Sequence, residues 1–109
     1  MHADHDAFIA GIDECKKIAL TFVSKEDGGG TLVRTCAPMD FGPSSRAKNK
    51  SNRYHSWDYD SDSPDGRHTL SLLPEQVISI KLLEEGFDPS EFVSWPPDWH
   101  YPRDWGTFS

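Results

Sequence analysis

Two runs of β-forming residues around a glycine-rich turn constrain the fold of this chain more than any other feature. Residues 18–24 read IALTFVS and residues 31–37 read TLVRTCA, while the KEDGGG between them tolerates a tight reversal. The pattern predicts an antiparallel hairpin. Alternation in the second run divides its side chains between two faces, with Leu32, Arg34 and Cys36 on one and Val33 and Thr35 on the other.

Three more strand patterns follow along the chain. Residues 53–59 (RYHSWDY) and residues 68–72 flank the turn-forming DSDSPDG and predict a second hairpin. Residues 77–83 (VISIKLL) predict a fifth strand after a short helical turn at LPEQ. Because closing a small sheet removes its exposed edges, the five strands predict a mainly β fold, a small closed barrel.

A helix, a loop and a tail complete the predicted fold. Phe8 and Ile12 recur at helical spacing, which predicts an N-terminal helix. Pro38 is expected to interrupt the second strand, and the polar, basic GPSSRAKNKSN of residues 42–52 to form a mobile loop. We expect one domain in three parts: a helix in residues 1–17, a barrel in residues 18–86, and a short helix with an aromatic, proline-rich tail in residues 87–109.

Composition narrows the classes of function. The formal charge of -7 opposes unselective binding to nucleic-acid backbones, although residues 34–57 are locally basic. No apolar run approaches the roughly 20 residues of a membrane span, and the acidic start lacks the features of a secretory signal. We therefore expect a cytoplasmic protein with no membrane partner, in which Cys15 and Cys36 remain thiols.

The sequence contains no recognisable catalytic or metal-binding motif. No serine lies in a G-x-S-x-G turn, and neither cysteine has a histidine beside it in the sequence. The five histidines match no zinc-ligand spacing, and His2 and His5 are expected to belong to a frayed terminus. These observations predict a non-catalytic protein with no cofactor and no metal site.

Several short segments resemble a WYL domain over roughly residues 12–89. They are the R-x-x-x-P pattern that begins at Arg34, Tyr54 in the middle strand, and the later LLPEQVISIKLLEEGFDP. Aligning the family's eponymous tripeptide places Arg53, Tyr54 and His55 over Trp, Tyr and Leu, so only the central tyrosine matches. The resemblance implies a five-stranded SH3-like or Sm-like barrel of the kind that senses ligands in bacterial regulators, and we expect no DNA-reading helix-turn-helix domain beside it.

A basic and aromatic barrel face is the first candidate binding site. Its predicted ligand-binding residues, which include basic positions that the resemblance implies, are Arg34, Arg53, Tyr54, Arg67 and His68. Guanidinium groups pair with phosphate and a tyrosine ring stacks on a base, as in proteins that bind nucleotides or single strands. The open alternative is that Arg34 and Arg67 form ordinary ion pairs with nearby aspartates.

The aromatic tail is the second candidate binding site. The predicted partner-binding residues are Trp95, Trp99, Tyr101 and Trp105. Tryptophan and tyrosine are enriched at the hot spots of protein interfaces. The alternative is that these rings lie across the barrel and cover its apolar surface.

Two functional hypotheses follow from these candidate sites. The first is a ligand-sensing or regulatory binding domain that recognises a small anionic or nucleotide-like ligand through the basic and aromatic face. The alternative is a protein–protein interaction adaptor that uses the tail. Single-stranded nucleic acid is disfavoured by the net charge of -7, while an open strand edge would permit a homo-oligomer.

Overall fold

The computed structural model describes residues 2–24, 29–44, 48, 50–60, 69–94 and 98–109. The elements in that part of the chain are the helix α1 (His5–Glu14), the strands β1 (Lys16–Val23), β2 (Thr31–Pro43), β3 (Asn52–Asp58), β4 (Thr69–Leu72) and β5 (Val77–Gly86), and 3-10 turns at Pro74–Gln76, Pro89–Glu91 and Gly106–Phe108. The strands form one antiparallel sheet in the order β4-β3-β2-β1-β5. The predicted mainly β class with an N-terminal helix is confirmed.

β4 and β5 lie at the two edges of this sheet. Among the described residues no ladder joins them, so closure into a barrel stays a prediction. The N-terminal segment covers part of the β5 edge. The Asp4 carboxylate accepts the Ile80 N–H at 3.0 Å, and His2 Nε2 lies 3.2 Å from the Ile78 carbonyl oxygen. These contacts occupy backbone groups that an edge strand otherwise offers to another chain.

β2 is longer than the sequence pattern predicts. Proline lacks the N–H that a ladder needs, yet Pro38 pairs with Ser56 and the strand continues to Pro43. A shift of register just after Pro38 places an extra residue, Met39, in β2. Such a bulge bends the strand and lets pairing resume beyond the irregular position. The predicted interruption at Pro38 is therefore wrong.

The predicted loop over residues 42–52 is also wrong at both ends. Gly42 and Pro43 belong to β2, and Asn52 begins β3. Between them the structure describes Ser44, Lys48, Lys50 and Ser51, whereas residues 45–47 and 49 lie outside the described residues.

The sheet has two faces that are covered by different parts of the chain. Along β3 the buried side chains of Tyr54, Ser56 and Asp58 alternate with less buried ones. We call the face of Tyr54 and Ser56 the inner face, and the face that carries His55 and Trp57 the outer face. On β2, Leu32, Arg34 and Cys36 pair with the buried residues Phe22, Leu20 and Ile18, so the predicted division of β2 into two faces is confirmed.

Helix α1 packs closely on the inner face. The Phe8 and Tyr54 rings meet edge to face with centroids 4.9 Å apart. A Cβ atom on Gly11 would lie 2.7 Å from Pro38 Cγ, so this approach of helix to strand requires glycine. The helix ends where Cys15 adopts a φ of 52° and its N–H turns back to the last carbonyls. No helix within the described ranges is long and apolar enough to span a membrane.

The C-terminal residues 87–94 and 98–109 pack on the outer face and around the end of α1. Phe92 stacks on Trp57 with ring centroids 5.6 Å apart and an interplanar angle of 16°. Trp105 is buried, and its indole N–H donates to the Ile12 carbonyl oxygen at 2.9 Å. The tail therefore contributes to the hydrophobic core as well as to the surface.

Candidate functional site

A groove opens on the outer face between the β3–β4 hairpin and the C-terminal tail. Its volume is about 770 Å³, within the range of roughly 300–1,000 Å³ that is usual for small-molecule sites. Its described lining residues come from β2, the segment between β2 and β3, β3, β4 and the tail, and are Met39, Asp40, Pro43, Ser44, Lys50, His55, Thr69, Ser71, Asp98, Trp99 and His100. Most of these residues have polar or ionisable side chains.

One wall of the groove is fixed by the buried carboxylate of Asp40. The bulge after Pro38 places Asp40 opposite His55 on the outer face. Its carboxylate accepts the backbone N–H groups of His100 and Tyr101, each at 2.9 Å, and that of Phe41. Because these bonds join β2 to the tail, Asp40 sets the position of His100 beside the groove.

Arg103 completes this attachment behind the wall. Its guanidinium has no exposed surface and lies 3.2 Å from the Asp40 carboxylate. It also donates to the backbone oxygens of Met39 and Tyr101 and sits 4.2 Å from the centre of the Trp99 ring and 4.5 Å from that of Trp105. Burial lowers the pKa of Arg103 to about 10, and Asp40 opposes that shift. Arg103 therefore stays charged at neutral pH.

Glycine at position 42 allows the tail to approach β2. A Cβ atom built on Gly42 would lie 2.5 Å from His100 Cδ2 and 2.8 Å from His100 Cβ. Real Cβ atoms do not tolerate such distances, and the second involves an atom fixed to the tail backbone. Any larger residue at this position must displace His100 from the groove wall.

The opposite side of the groove carries a hydrogen-bonded histidine and serine. His55 and Ser71 are paired residues on β3 and β4, and His55 Nδ1 lies 2.8 Å from Ser71 Oγ. His55 Nε2 lies 2.9 Å from the Gly42 carbonyl oxygen. Since a carbonyl only accepts, Nε2 carries a proton, and in the neutral ring Nδ1 accepts the Ser71 hydroxyl proton. The hydrogen bonds therefore define the tautomer of His55.

The remaining charged residues lie nearer to solvent. Lys50 and Asp98 are both exposed and have opposite charge, and the Lys50 ammonium donates to the Ser44 carbonyl oxygen at 3.2 Å. Asp40 is neutralised by Arg103. With both histidines neutral the charges of the groove lining nearly cancel, and each histidine that takes up a proton makes the groove more positive.

The described residues among those predicted from the sequence do not form one basic surface. Arg34 lies on the inner face, where it pairs with Asp58 at 3.8 Å and donates to the Asp60 carbonyl oxygen. Arg53 lies on the outer face and pairs with Gly42, near the other end of β2. At about 3.3 Å per residue, Gly42 is roughly 25 Å along β2 from Arg34. Arg34 therefore matches the alternative interpretation, in which it forms an ordinary ion pair with a nearby aspartate.

Tyr54 does not provide a stacking surface for a ligand. Its side chain is completely buried, and its ring packs against those of Phe8, Phe41 and His5. The assignment of Tyr54 to an exposed ligand-binding face is therefore wrong, because the alternation of β3 turns it toward the helix. Arg67 and His68, the remaining predicted ligand-binding residues, lie outside the described residues.

The predicted partner-binding aromatics are largely engaged within the molecule. Trp105 is buried, and the half-buried Trp99 donates its indole N–H to the Phe108 carbonyl oxygen at 2.8 Å. The Tyr101 hydroxyl donates to the Asp13 carboxylate at 2.9 Å. Trp95 lies outside the described residues. These contacts match the alternative in which the rings cover apolar surface.

The N-terminal histidines are docked, so their assignment to a frayed terminus is wrong. The His2 backbone N–H donates to the Tyr54 hydroxyl oxygen at 3.0 Å, and His5 Nδ1 lies 3.0 Å from the same oxygen. Burial lowers the pKa of His5. The part of the chain described by the structure contains no group of three or more His, Cys, Asp or Glu side chains placed to hold a metal ion.

Sequence reasoning missed Lys50, His55, Ser71 and His100 as members of one groove. Strand alternation places His55 on the face opposite to that of the buried Tyr54, and this signal is present in the sequence. The contribution of His100 depends on the return of the tail to Asp40, which no local pattern encodes.

Comparisons with protein-family models, curated proteins and solved structures returned no match for this chain. The resemblance to a WYL domain therefore stays a prediction.

Proposed function

We propose that this protein is a non-catalytic binding domain that takes a small anionic ligand in the groove between the β3–β4 hairpin and the tail. The observation that carries this proposal is the convergence of Lys50, His55, His100 and Ser71 on one cavity of ligand size. Ammonium, imidazole and hydroxyl groups all donate hydrogen bonds to phosphate or carboxylate oxygens. Both nitrogens of His55 face Gly42 and Ser71, so His55 acts on the ligand through Ser71.

The electrostatics of the wall support an anion over a cation. Asp40 is the one buried carboxylate among the described lining residues, and four donors already use its oxygens. It therefore offers little to a cationic ligand. Asp98 is exposed and screened by solvent, so it opposes an anion only weakly.

A regulatory role is the biological function that fits such a binding domain. The resemblance of the sequence to ligand-sensing WYL domains favours a sensor whose bound state is read by another protein. Partner docking through the tail is less favoured, because Trp105 would have to leave the core and Arg103 would lose its partners. The groove requires no such rearrangement.

The serine and histidine in the groove raise the alternative of a hydrolytic site. Pairing across three strands aligns Asp40, His55 and Ser71 in one row. The Asp40 carboxylate bonds to the tail, however, and His55 Nε2 bonds to the Gly42 carbonyl. A Ser-His-Asp triad requires the carboxylate to orient the histidine, so the row lacks the central feature of that mechanism. Turnover of an activated ester that disappears in Ser71→Ala would contradict the non-catalytic proposal.

Thermal unfolding with a panel of anions tests the proposed function. The panel is sulfate, citrate and adenosine monophosphate, with adenosine as the uncharged control, at low and moderate salt. A ligand at 100 times its Kd stabilises the folded state by about 2.7 kcal/mol. We expect this stabilisation to be reduced in Lys50→Ala and retained in Lys48→Ala, because Lys48 is exposed in the same segment but does not line the groove.

Two results would overturn the proposal. One is an absence of stabilisation by every anion of the panel. The other is an equal loss of stabilisation in Lys50→Ala and Lys48→Ala, which would indicate diffuse attraction by the basic segment.

A further inference from the structure

We propose that anion binding in the groove is linked to proton uptake by His55, which reverses the hydrogen bond between His55 and Ser71. This inference rests on the proposed function and adds a means of regulation to the same site. The basis is geometric: one imidazole nitrogen faces a group that only accepts, and the other faces a hydroxyl that both donates and accepts.

In the neutral state the Ser71 proton points away from the ligand. His55 Nε2–H donates to the Gly42 carbonyl, so Nδ1 has only a lone pair and the Ser71 hydroxyl donates to it at 2.8 Å. The Ser71 oxygen then presents lone pairs to the groove. Lone pairs repel an anionic oxygen, so this state disfavours the ligand.

Protonation of His55 changes the direction of this bond without moving heavy atoms. The ring then carries N–H groups at both nitrogens, the Gly42 carbonyl still accepts from Nε2, and Nδ1–H donates to Ser71 Oγ. The serine proton is released from the ring and becomes available to a ligand oxygen. One proton taken up therefore supplies a positive charge beside the groove and a hydroxyl donor within it.

The groups that face His55 include other ionisable side chains. On β2 it faces Asp40, which Arg103 neutralises. The segment before β3 contributes Lys50, and the tail contributes Asp98 and His100 to the same groove. On its own strand and face, Arg53 donates to the Ser71 carbonyl oxygen at 3.4 Å. Of these groups, His100 is the other imidazole, so the test must separate it from His55.

Calorimetric titration with sulfate tests the linkage, because sulfate keeps the same charge between about pH 5.5 and 8, where histidine titrates. We expect affinity about tenfold higher at the lower pH, since a charge-assisted hydrogen bond is gained. Titrations in two buffers of different ionisation enthalpy should show net proton uptake. Thermal unfolding at both pH values confirms that each variant is folded.

Three variants identify the groups responsible. His55→Gln should lose the part of the gain that depends on Ser71, and Ser71→Ala should lose the same part. His100→Gln should retain that part. Sulfate binding with the same affinity at both pH values, or a gain in His55→Gln as large as in the unaltered protein, would overturn the linkage and leave the proposed function intact. Absence of sulfate binding at both pH values would overturn the linkage, and it would overturn the proposed function as well if citrate and adenosine monophosphate also fail to bind.

Discussion

The two ends of the chain dock on opposite sides of one sheet by different chemistry. The C-terminal tail is attached through Asp40 and the fully buried guanidinium of Arg103, which stays charged at neutral pH. The N-terminal segment is attached through His2 and His5 to the hydroxyl of Tyr54. The comparison indicates that the attachment of the tail through Arg103 is insensitive to moderate changes of pH, whereas the N-terminal attachment responds to them.

The largest effect is expected from breaking the attachment of the tail. Arg103→Ala leaves the Asp40 carboxylate buried without its counter-charge, which destabilises a protein by about 3–5 kcal/mol. Urea unfolding measures this loss. Lys16→Ala is the matched control, because Lys16 and Glu14 form an exposed pair at 3.6 Å that contributes less than about 1 kcal/mol. Equal losses in the two variants would show that the tail attachment carries no special stability.

A smaller effect is expected from the N-terminal attachment. Tyr54→Phe keeps the buried ring but leaves the His2 N–H and His5 Nδ1 without their shared partner. The loss of these bonds should cost about 1–2 kcal/mol in the free energy of unfolding, and hydrogen exchange of the α1 amides should accelerate. Unchanged stability would indicate that packing of Phe8 and Ile12 alone holds the helix on the sheet.

Gly42 offers a test of the groove wall. Gly42→Ala should destabilise the protein by about 1 kcal/mol, because the new methyl group overlaps His100 down to its Cβ atom. Adding His100→Gly removes the overlapping atoms and should recover most of the loss. Urea unfolding of the single and double variants decides the point. If the double variant is less stable than Gly42→Ala, the close approach of His100 to Gly42 is contradicted.

The smallest effect is a pH dependence that distinguishes the two ends. Burial lowers the pKa of His5 in the folded state, so the unfolded state binds more protons as the pH falls. The contribution of neutral His5 to the stability is therefore complete above the unfolded pKa of about 6.5, and it decreases as the pH falls through that value. His5→Gln should reduce this slope in the melting temperature between pH 8 and pH 5. A steeper slope in His5→Gln would contradict this prediction, because it would mean that His5 binds more protons in the folded state than in the unfolded state.

The elements of the fold were more predictable than its site. The hairpin of β1 and β2 follows from alternation and a glycine-rich turn, both of which are local signals. The continuation of β2 through Pro38 was not predictable from propensity, because a bulge and the packing of Gly11 against that proline accommodate the missing N–H.

The site residues were harder to predict because distant segments assemble them. Arg34 and Tyr54 were correctly placed on strands, but alternation directs both to the inner face. Tyr54 is consequently part of the core. Arg103 is unremarkable in the sequence, and its role appears only when Asp40 and two tryptophan rings surround it. Long-range contacts of this kind leave no periodic signal.

The most direct test of the groove as a binding site is an amide NMR titration of isotopically labelled protein with sulfate at about pH 5.5, below the unperturbed pKa of histidine of about 6.5. The account predicts saturable shifts for His55, Ser71 and His100, on three separate segments that line the groove, and little change for Arg34 and Asp58. Shifts confined to Arg34 and its surroundings, or no saturable shift at any residue, would contradict it.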